Sequence, residues 1–359
     1  MKQVFLESHN IKNQYFGFGQ FNYHLIKGLY NASIDQFKIT LHAKDLGSLK
    51  NEFGDYYNYK KYHSYSRHKP FRIRKKYDLW HSLNQNTKIE PFHDIPYVLT
   101  VHDVNFIEEQ SKDMTHDRNI RFQNKLNRSH AITYISNFAK KSTHEFFKVP
   151  NVKEYVIYNG NPVIEINIPS LYKPKTFSTR PFLFSIGEFT SRKNFHSLVE
   201  MLAYLPDYNL ILSGNNNTDY AKTTLSQTIK RLNLEHRVLI TGKISELDKH
   251  YYLQHCEGFV FPSLREGFGI PPIEAMRFGK PVFLSNNTSL PEIGADLAFY
   301  WNHFEPKYMA SIIENGISLY NENKELLSQK YINHAKSFNW DDAAKAYEEV
   351  YRNLLFNEQ

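Results

Sequence analysis

Short apolar runs alternate with longer amphipathic stretches along nearly the whole of this chain, and the alternation stops once and then restarts. In the first half Val4-Phe5-Leu6, residues 37–42, Leu79-Trp80-His81, residues 97–101, residues 131–135 and Val156-Ile157-Tyr158 read as strands. In the second half residues 182–186, 210–212, 238–241, 258–261 and Val282-Phe283-Leu284 do the same. Between them apolar residues return at helical spacing, as in Phe21, Leu25, Ile26 and Leu29, and again over 119–127, 138–147, 195–205, 221–232 and 246–254. Strands that alternate with helices predict parallel sheets covered on both faces. Residues 161–180 carry Pro162, Pro169 and Pro174 with little pattern and read as a linker. The fold class is therefore α/β, with two Rossmann-like domains at 1–165 and 166–339, and 359 residues are enough for both. Ligands of such sheets bind beyond the carboxyl ends of the strands, which points to the cleft between two facing domains.

The richest stretch is 263–281. It follows the apolar run Gly258-Phe259-Val260-Phe261 and offers two carboxylates, Glu266 and Glu274, with seven residues between them. Gly267 and Gly269 lie between the two, where backbone can approach a ligand closely. Pro271-Pro272 predicts a helix from about 272 to 278 with Gly279 as its stop. That places Glu274 in the first helical turn and makes the helix N-terminus an anion site. A lone first-turn Glu is ordinary capping. Two glutamates flanking glycines after a buried strand favour a binding role, either acid/base work or acceptance of hydrogen bonds from sugar and ribose hydroxyls.

Residues 186–194 end the first strand of the second half and deliver Arg192 and Lys193 just before a helix. A guanidinium fork beside an ammonium suits a diphosphate, and a solvated basic loop is the alternative. Thr100-Val101-His102-Asp103 ends a strand of the first half and aims His102 at the same cleft, or else His102 is structural. Gly17-Phe18-Gly19 reads as a loop, but Asn22 stands where a dinucleotide fingerprint needs its third glycine, which argues against a nicotinamide site. Residues 67–76 form the densest basic run, read as a solvated loop or as a patch for an anionic membrane or acceptor. No RNA-binding motif accompanies it, and a net charge of +7 is too modest to argue for nucleic acid. The sequence contains no Asp-x-Asp and no His/Cys cluster at metal-ligand spacing, so nothing in it asks for a divalent metal or another cofactor. No apolar run reaches membrane-span length, the N-terminus turns polar too early for a signal peptide, and the single Cys256 fits a cytoplasmic setting.

Taken together and in order, these motifs resemble the retaining glycosyltransferases of family four, with the GT-B fold. Residues 261–269 through Glu274-Ala275-Met276 are similar to that family's Glu-x7-Glu signature, and Leu290-Pro291-Glu292-Ile293-Gly294 resembles the segment that follows it. Gly187 with Arg192-Lys193-Asn194 looks like its diphosphate loop. Gly17-Phe18-Gly19, Thr100-Val101-His102-Asp103 and Tyr158-Asn159-Gly160 resemble its N-terminal-domain motifs. Glu188 and Gln20 stand where many members carry Arg.

The resemblance implies a nucleotide-sugar donor held by the second domain. Glu274 would bind the ribose, and Glu266 with the Phe268, Gly269 and Ile270 backbone would hold the donor sugar and phosphates. Arg192 and Lys193, beside Gly187, would bind the diphosphate. His102 and the Gly17 to Gly19 loop would lie beside the transferred sugar, so His102 and Glu266 are the residues expected at the reacting centre. It further implies a metal-independent, configuration-retaining transfer of a hexose to a growing surface glycan or lipid-linked glycan. GDP-mannose is slightly favoured, because the set looks closest to mannosyl- and rhamnosyl-transferases. Residues 340–359 would form a helix crossing back to the first domain, and the enzyme would work in the cytoplasm or at the inner face of the plasma membrane. A nucleotide-sugar epimerase, a phosphorylase or an inactive sugar- or membrane-binding scaffold on the same fold is the alternative.

Overall fold

Apolar runs that bury both faces should pair side by side in the same direction, and here they do. A computed structural model describes residues 1–13 and 17–356. In it the chain forms two units, Met1–Gly160 with Asn339–Gln359, and Asn161–Phe338. The first unit holds a sheet of β1 (Lys2–Glu7), β2 (Phe37–Ala43), β3 (Asn58–Lys61), β4 (Leu79–Ser82), β5 (Tyr97–Val101), β6 (Ala131–Tyr134) and β7 (Lys153–Val156). Its order is β3-β2-β1-β4-β5-β6-β7, with every pair parallel. The second holds β8 (Phe182–Ile186), β9 (Asn209–Ser213), β10 (Val238–Gly242), β11 (Gly258–Phe261), β12 (Val282–Ser285) and β13 (Phe299–Trp301). Its order is β10-β9-β8-β11-β12-β13, again parallel throughout. Each sheet is doubly wound, so strand order reverses between β1 and β4 in one and between β8 and β11 in the other. Ligands of doubly wound sheets bind at that reversal, outside the carboxyl ends.

Side-chain alternation explains the second sheet. Leu183, Val260 and Phe283 point to one face, into a core with Leu198, Met201, Ile313 and Ile317 from covering helices. Their neighbours Phe184, Phe259, Phe261 and Leu284 point to the other, against Tyr252, Met276 and Tyr331. Each fully buried Phe or Leu contributes about 2 kcal/mol relative to exposure.

In the first unit the helix Trp340–Phe356 packs beside the helix Gly17–Asn31. Trp340 stacks on His24 with centroids 5.5 Å apart, and Tyr351 meets His81, whose Nδ1 lies 2.7 Å from the Tyr351 hydroxyl. Close approach requires Gly28: a Cβ there would sit 2.7 Å from the Trp340 carbonyl oxygen and 2.8 Å from Ala344 Cβ. Gly28→Val is expected to destabilise this unit by about 1–3 kcal/mol through overpacking, read as a lower thermal midpoint and earlier proteolysis of the C-terminal helix.

His81 also makes stability depend on pH. Burial pushes its imidazole down to about 3, and burial likewise pushes His102 to about 4. Both rings are neutral when folded, whereas an unfolded chain takes up protons below about pH 6.5. Stability is therefore full above that value and falls as pH drops from 6.5 toward 4, by about 1.4 kcal/mol per pH unit for each ring. Denaturant midpoints measured between pH 7 and 4 should show this fall, and His81→Gln should make it shallower.

Several sequence expectations need correction. Residues 17–20 are the first turn of the helix Gly17–Asn31 rather than a loop. Phe18 and Phe21, one turn apart, both set their rings edge-on to His102 at 4.7 and 4.6 Å, and that packing outweighs the helix penalty of two glycines, about 1 kcal/mol each. The last strand of the first sheet is Lys153–Val156, earlier than the apolar run 156–158, because its register starts at Ala131 opposite Lys153. Residues 55–76 contain β3 and two short 3-10 helices, Ser64–Arg67 and Lys69–Phe71.

Candidate active site

At the carboxyl end of β8 the chain turns through Gly187, whose amide donates to the Ser213 carbonyl at 2.9 Å. Gly214 sits at φ +136, and a Cβ on it would fall 1.8 Å from the Gly187 carbonyl oxygen. Only a glycine lets these strand ends touch. A 3-10 turn, Ser191–Lys193, follows, then Asn194 in the left-handed region and the helix Phe195–Leu202. Lys193 folds back along Gly187 and places Nζ 4.6 Å from the centre of the Phe261 ring.

There it meets the loop leaving β11. Lys193 Nζ donates to Glu266 Oε1 at 2.5 Å, and Ser263 Oγ donates to the same oxygen at 2.6 Å. Arg192 Nη1 lies 3.4 Å from Glu266 Oε2 and donates to the Arg265 carbonyl at 2.6 Å. The Leu264 amide donates to the Arg192 carbonyl at 2.8 Å, so the two loops are joined by backbone as well as charge. A third loop closes the arrangement. The Glu266 amide donates to Thr288 Oγ1 at 3.0 Å, and Ser289 Oγ reaches the carbonyls of Glu266 and Phe268. Gly269, at φ +119, then starts the helix Ile270–Arg277.

The electrostatics follow from this packing. Burial pushes the Glu266 carboxyl up, but Lys193 and Arg192 together hold it below the usual carboxylate range. Burial pulls the Lys193 ammonium down, with Glu266 opposing. Lys193 over the Phe261 ring and Arg192 beside it bring two cations to the strand-order reversal, where Glu266 and Glu188 act on Lys193, an arrangement that can receive an anion.

The structure thus brings together Gly187, Arg192, Lys193, Glu266 and the backbone of Phe268, Gly269 and Ile270. Glu274 is placed differently. Because the helix begins at Ile270, earlier than the prolines suggest, Glu274 lies beyond its first turn and is not a cap. The freedom of Gly269 to take φ +119 permits that earlier start. Glu274 Oε1 instead accepts from Lys249 Nζ at 2.6 Å, with both side chains 5% exposed.

In the first unit His102 is buried behind β5, with Nε2 donating to the Leu83 carbonyl at 2.9 Å and its amide donating to Gln85 Oε1 at 3.2 Å. It lies against Phe18, so Gly17 and Gly19 flank a residue that touches it. The ring is neutral at pH 7 and suited to hydrogen bonding rather than proton donation.

Sequence reasoning missed Lys249, Ser263, Thr288 and Ser289. Lys249 also pairs with Glu246 three residues before it, the signature of an exposed helix face, so its burial left no trace in the pattern. It missed Glu7 as well. This buried carboxylate at the end of β1 accepts from His9 Nδ1 and lies 3.7 Å from His42 Nδ1. Burial pushes Glu7 up, yet the two histidines hold it well below the usual range. Among the described residues no group of three or more His, Cys, Asp or Glu side chains is placed to hold a metal ion.

Two family models match the chain: Glycosyl transferases group 1 over residues 170–338 and Glycosyltransferase Family 4 over residues 48–162. Among curated proteins, the O-antigen chain mannosyltransferase RfbU of Salmonella typhimurium is 31% identical over 52% of this chain and 50% of the relative. The O-antigen chain mannosyltransferase B of Escherichia coli is 31% identical over 47% of this chain and 45% of the relative. The chain spans about half the length of these curated relatives. Among solved structures, Anabaena HepE in complex with UDP and glucose superposes with a TM-score of 0.73 at 20% identity, covering 98% of this chain and all of HepE. A sucrose-phosphate synthase from Thermosynechococcus elongatus gives 0.74 at 18% identity, with both chains fully covered. At these identities the structural matches speak for the fold, which is GT-B.

Proposed function

We propose, from the premise that this chain belongs to the GT-B glycosyltransferases of group 1 and family 4, that it moves a mannose-type hexose from a nucleotide diphosphate donor to a growing surface glycan. The observation that carries this reading is the Arg192–Lys193–Glu266 cluster at the strand-order reversal of the second sheet. Lys193 and Arg192 receive the donor diphosphate, with the amides that open the helix Ile270–Arg277. Glu266 turns to a hydroxyl of the donor sugar, and Glu274 accepts from the ribose. The mannosyltransferase names of the curated relatives favour GDP-mannose, and the acceptor is an O-antigen-type glycan or its lipid-linked precursor.

In the reaction the acceptor oxygen forms a bond to the anomeric carbon as the bond from that carbon to the phosphate oxygen breaks. The diphosphate leaves with the electron pair, and its charge falls on Lys193 and Arg192 in place of a metal. The acceptor proton passes to the leaving phosphate oxygen on the same face, so anomeric configuration is retained. His102, buried and neutral, can take part only as a hydrogen-bonding ring.

Acceptors carried on lipid call for contact with a bilayer. No helix among the described residues is long and apolar enough to cross one. Residues 67–76 instead supply cations around Phe71, 59% exposed, beside Tyr65, 53% exposed, a surface suited to anionic headgroups. Incubation with GDP-mannose and purified lipid-linked acceptor, followed by proton NMR of the product, tests the whole reading. An α-linked mannoside supports it. Conversion of the donor without acceptor would indicate an epimerase, and dependence on orthophosphate a phosphorylase.

A further inference from the structure

Lys249 occupies a place that elementary electrostatics disfavours. It lies near the N-terminus of the helix Glu246–His255, where the helix dipole repels a cation, and its side chain is 5% exposed. Two carboxylates offset these costs. Its ammonium lies 2.6 Å from Glu274 Oε1 and 2.7 Å from Glu246 Oε2, and Glu246 is 72% exposed while Glu274 is buried. The buried cation thus joins a surface carboxylate to the one assigned to the donor ribose.

We propose that Lys249 is a positioning residue for nucleotide binding: its ammonium holds Glu274 Oε1 in place, so that the other oxygen is presented to the ribose hydroxyls. The proposal rests on the assignment of Glu274 to the ribose made above. The forces on Glu274 show why a partner matters. Burial pushes its carboxyl above the usual range, Glu246 adds to that rise, and Lys249 opposes it without cancelling it. Lys249 itself, pulled down by burial, is raised above the usual ammonium range by Glu274 and Glu246.

Other groups around this helix have partners of their own, although His250 feels the charges of Lys249 and Glu246. His250, from the same helix as Lys249, packs against Phe278 at 5.3 Å. Arg277 donates to the Ile164 carbonyl at 3.0 Å, and Asn161 Nδ2 donates to the Ile273 carbonyl at 2.7 Å. The helix Lys324–Ser337 brings uncharged Ser328 and Ile332 to Gly279, while its His334 is bonded to the Ile293 carbonyl at 2.8 Å.

The test is calorimetric titration of the full chain with GDP, UDP and dTDP from pH 5 to 9, following the tightest. Lys249→Met should weaken binding at pH 7 by about tenfold or more, since a charged hydrogen bond is lost. Its acid limb should move to higher pH, so that binding recovers toward pH 9. Lys249→Arg should restore it. Glu246→Gln removes the carboxylate that pushes Glu274 up and should move the acid limb the other way, to lower pH. Being on the surface, that variant carries the test if Lys249→Met does not fold. In a Glu274→Gln background, Lys249→Met should add nothing. A loss in Lys249→Met that is the same at every pH, or that adds in full to Glu274→Gln, overturns the proposal. Wild-type-like binding by Glu274→Gln overturns the ribose assignment itself.

Discussion

Lys193→Met is expected to lower kcat/KM for the sugar donor by about 10³, the scale on which removal of a preorganised group facing developing charge acts. Methionine keeps most of the stem that runs past Gly187 and lies over Phe261, so the loss isolates the ammonium. The same change leaves Glu266 with Ser263 at 2.6 Å and Arg192 at 3.4 Å, a carboxylate 13% exposed and short of its strongest partner. Breaking a buried pair from one side costs about 3–5 kcal/mol, and the remaining guanidinium should hold this loss toward the lower end. Stability and activity can be separated. Lys193→Met combined with Glu266→Gln removes both charges and should recover most of the lost stability, with no return of turnover. Steady-state kinetics beside denaturant unfolding of the same samples checks both halves. If the double variant recovered turnover, the cluster would be a structural staple and not a diphosphate site.

The second large effect is structural. Gly214→Ala places a methyl group 1.8 Å from the Gly187 carbonyl oxygen and 2.7 Å from its carbonyl carbon, at a φ of +136 that side chains rarely adopt. Backbone has to move on one side or the other, and strain with overpacking together should cost about 3–5 kcal/mol. The segment that yields is the one leading to Lys193, so donor affinity should fall with stability. Gly242→Ala is the control. It shares a positive φ, +72, but a Cβ there meets nothing closer than Asn216 Oδ1 at 3.8 Å. Its cost should be about 1 kcal/mol, with donor affinity intact. Thermal unfolding and nucleotide titration of the pair distinguish contact from conformational strain. Equal effects in the two variants would mean that the touching strand ends do not position the loop.

Physical reasons separate what was legible in the sequence from what was not. Strands buried on both faces read as continuous apolar runs, so Phe182–Ile186 and Gly258–Phe261 stood out and the parallel α/β class followed. The loops at their carboxyl ends were equally visible, because Gly187, Gly267 and Gly269 punctuate them. Contacts between residues distant in sequence were not. Nothing local distinguishes Lys249 from a solvated lysine paired with Glu246, and Glu274 supplies the difference from another helix. Thr288 and Ser289 sit in a polar stretch that resembles any turn until their hydroxyls are found on the Glu266 loop. The first turn at Gly17 was hidden by its glycines, and the packing of Phe18 and Phe21 on His102 that accompanies it lies between residues distant in sequence. The short β13, Phe299–Trp301, borrows its order from pairing with β12 and carries too few residues to announce itself.

The central claim is that the second unit holds a nucleotide-diphosphate sugar on Lys193, Arg192, Glu266 and Glu274. Calorimetric titration of the intact protein with GDP-mannose, beside UDP-glucose as competitor, tests it most directly. Saturable binding of one of these donors, lost in Lys193→Met and in Glu274→Gln while both variants stay folded, is the predicted result. Absence of binding by either donor at millimolar concentration, or equal binding by wild type and both variants, would contradict it.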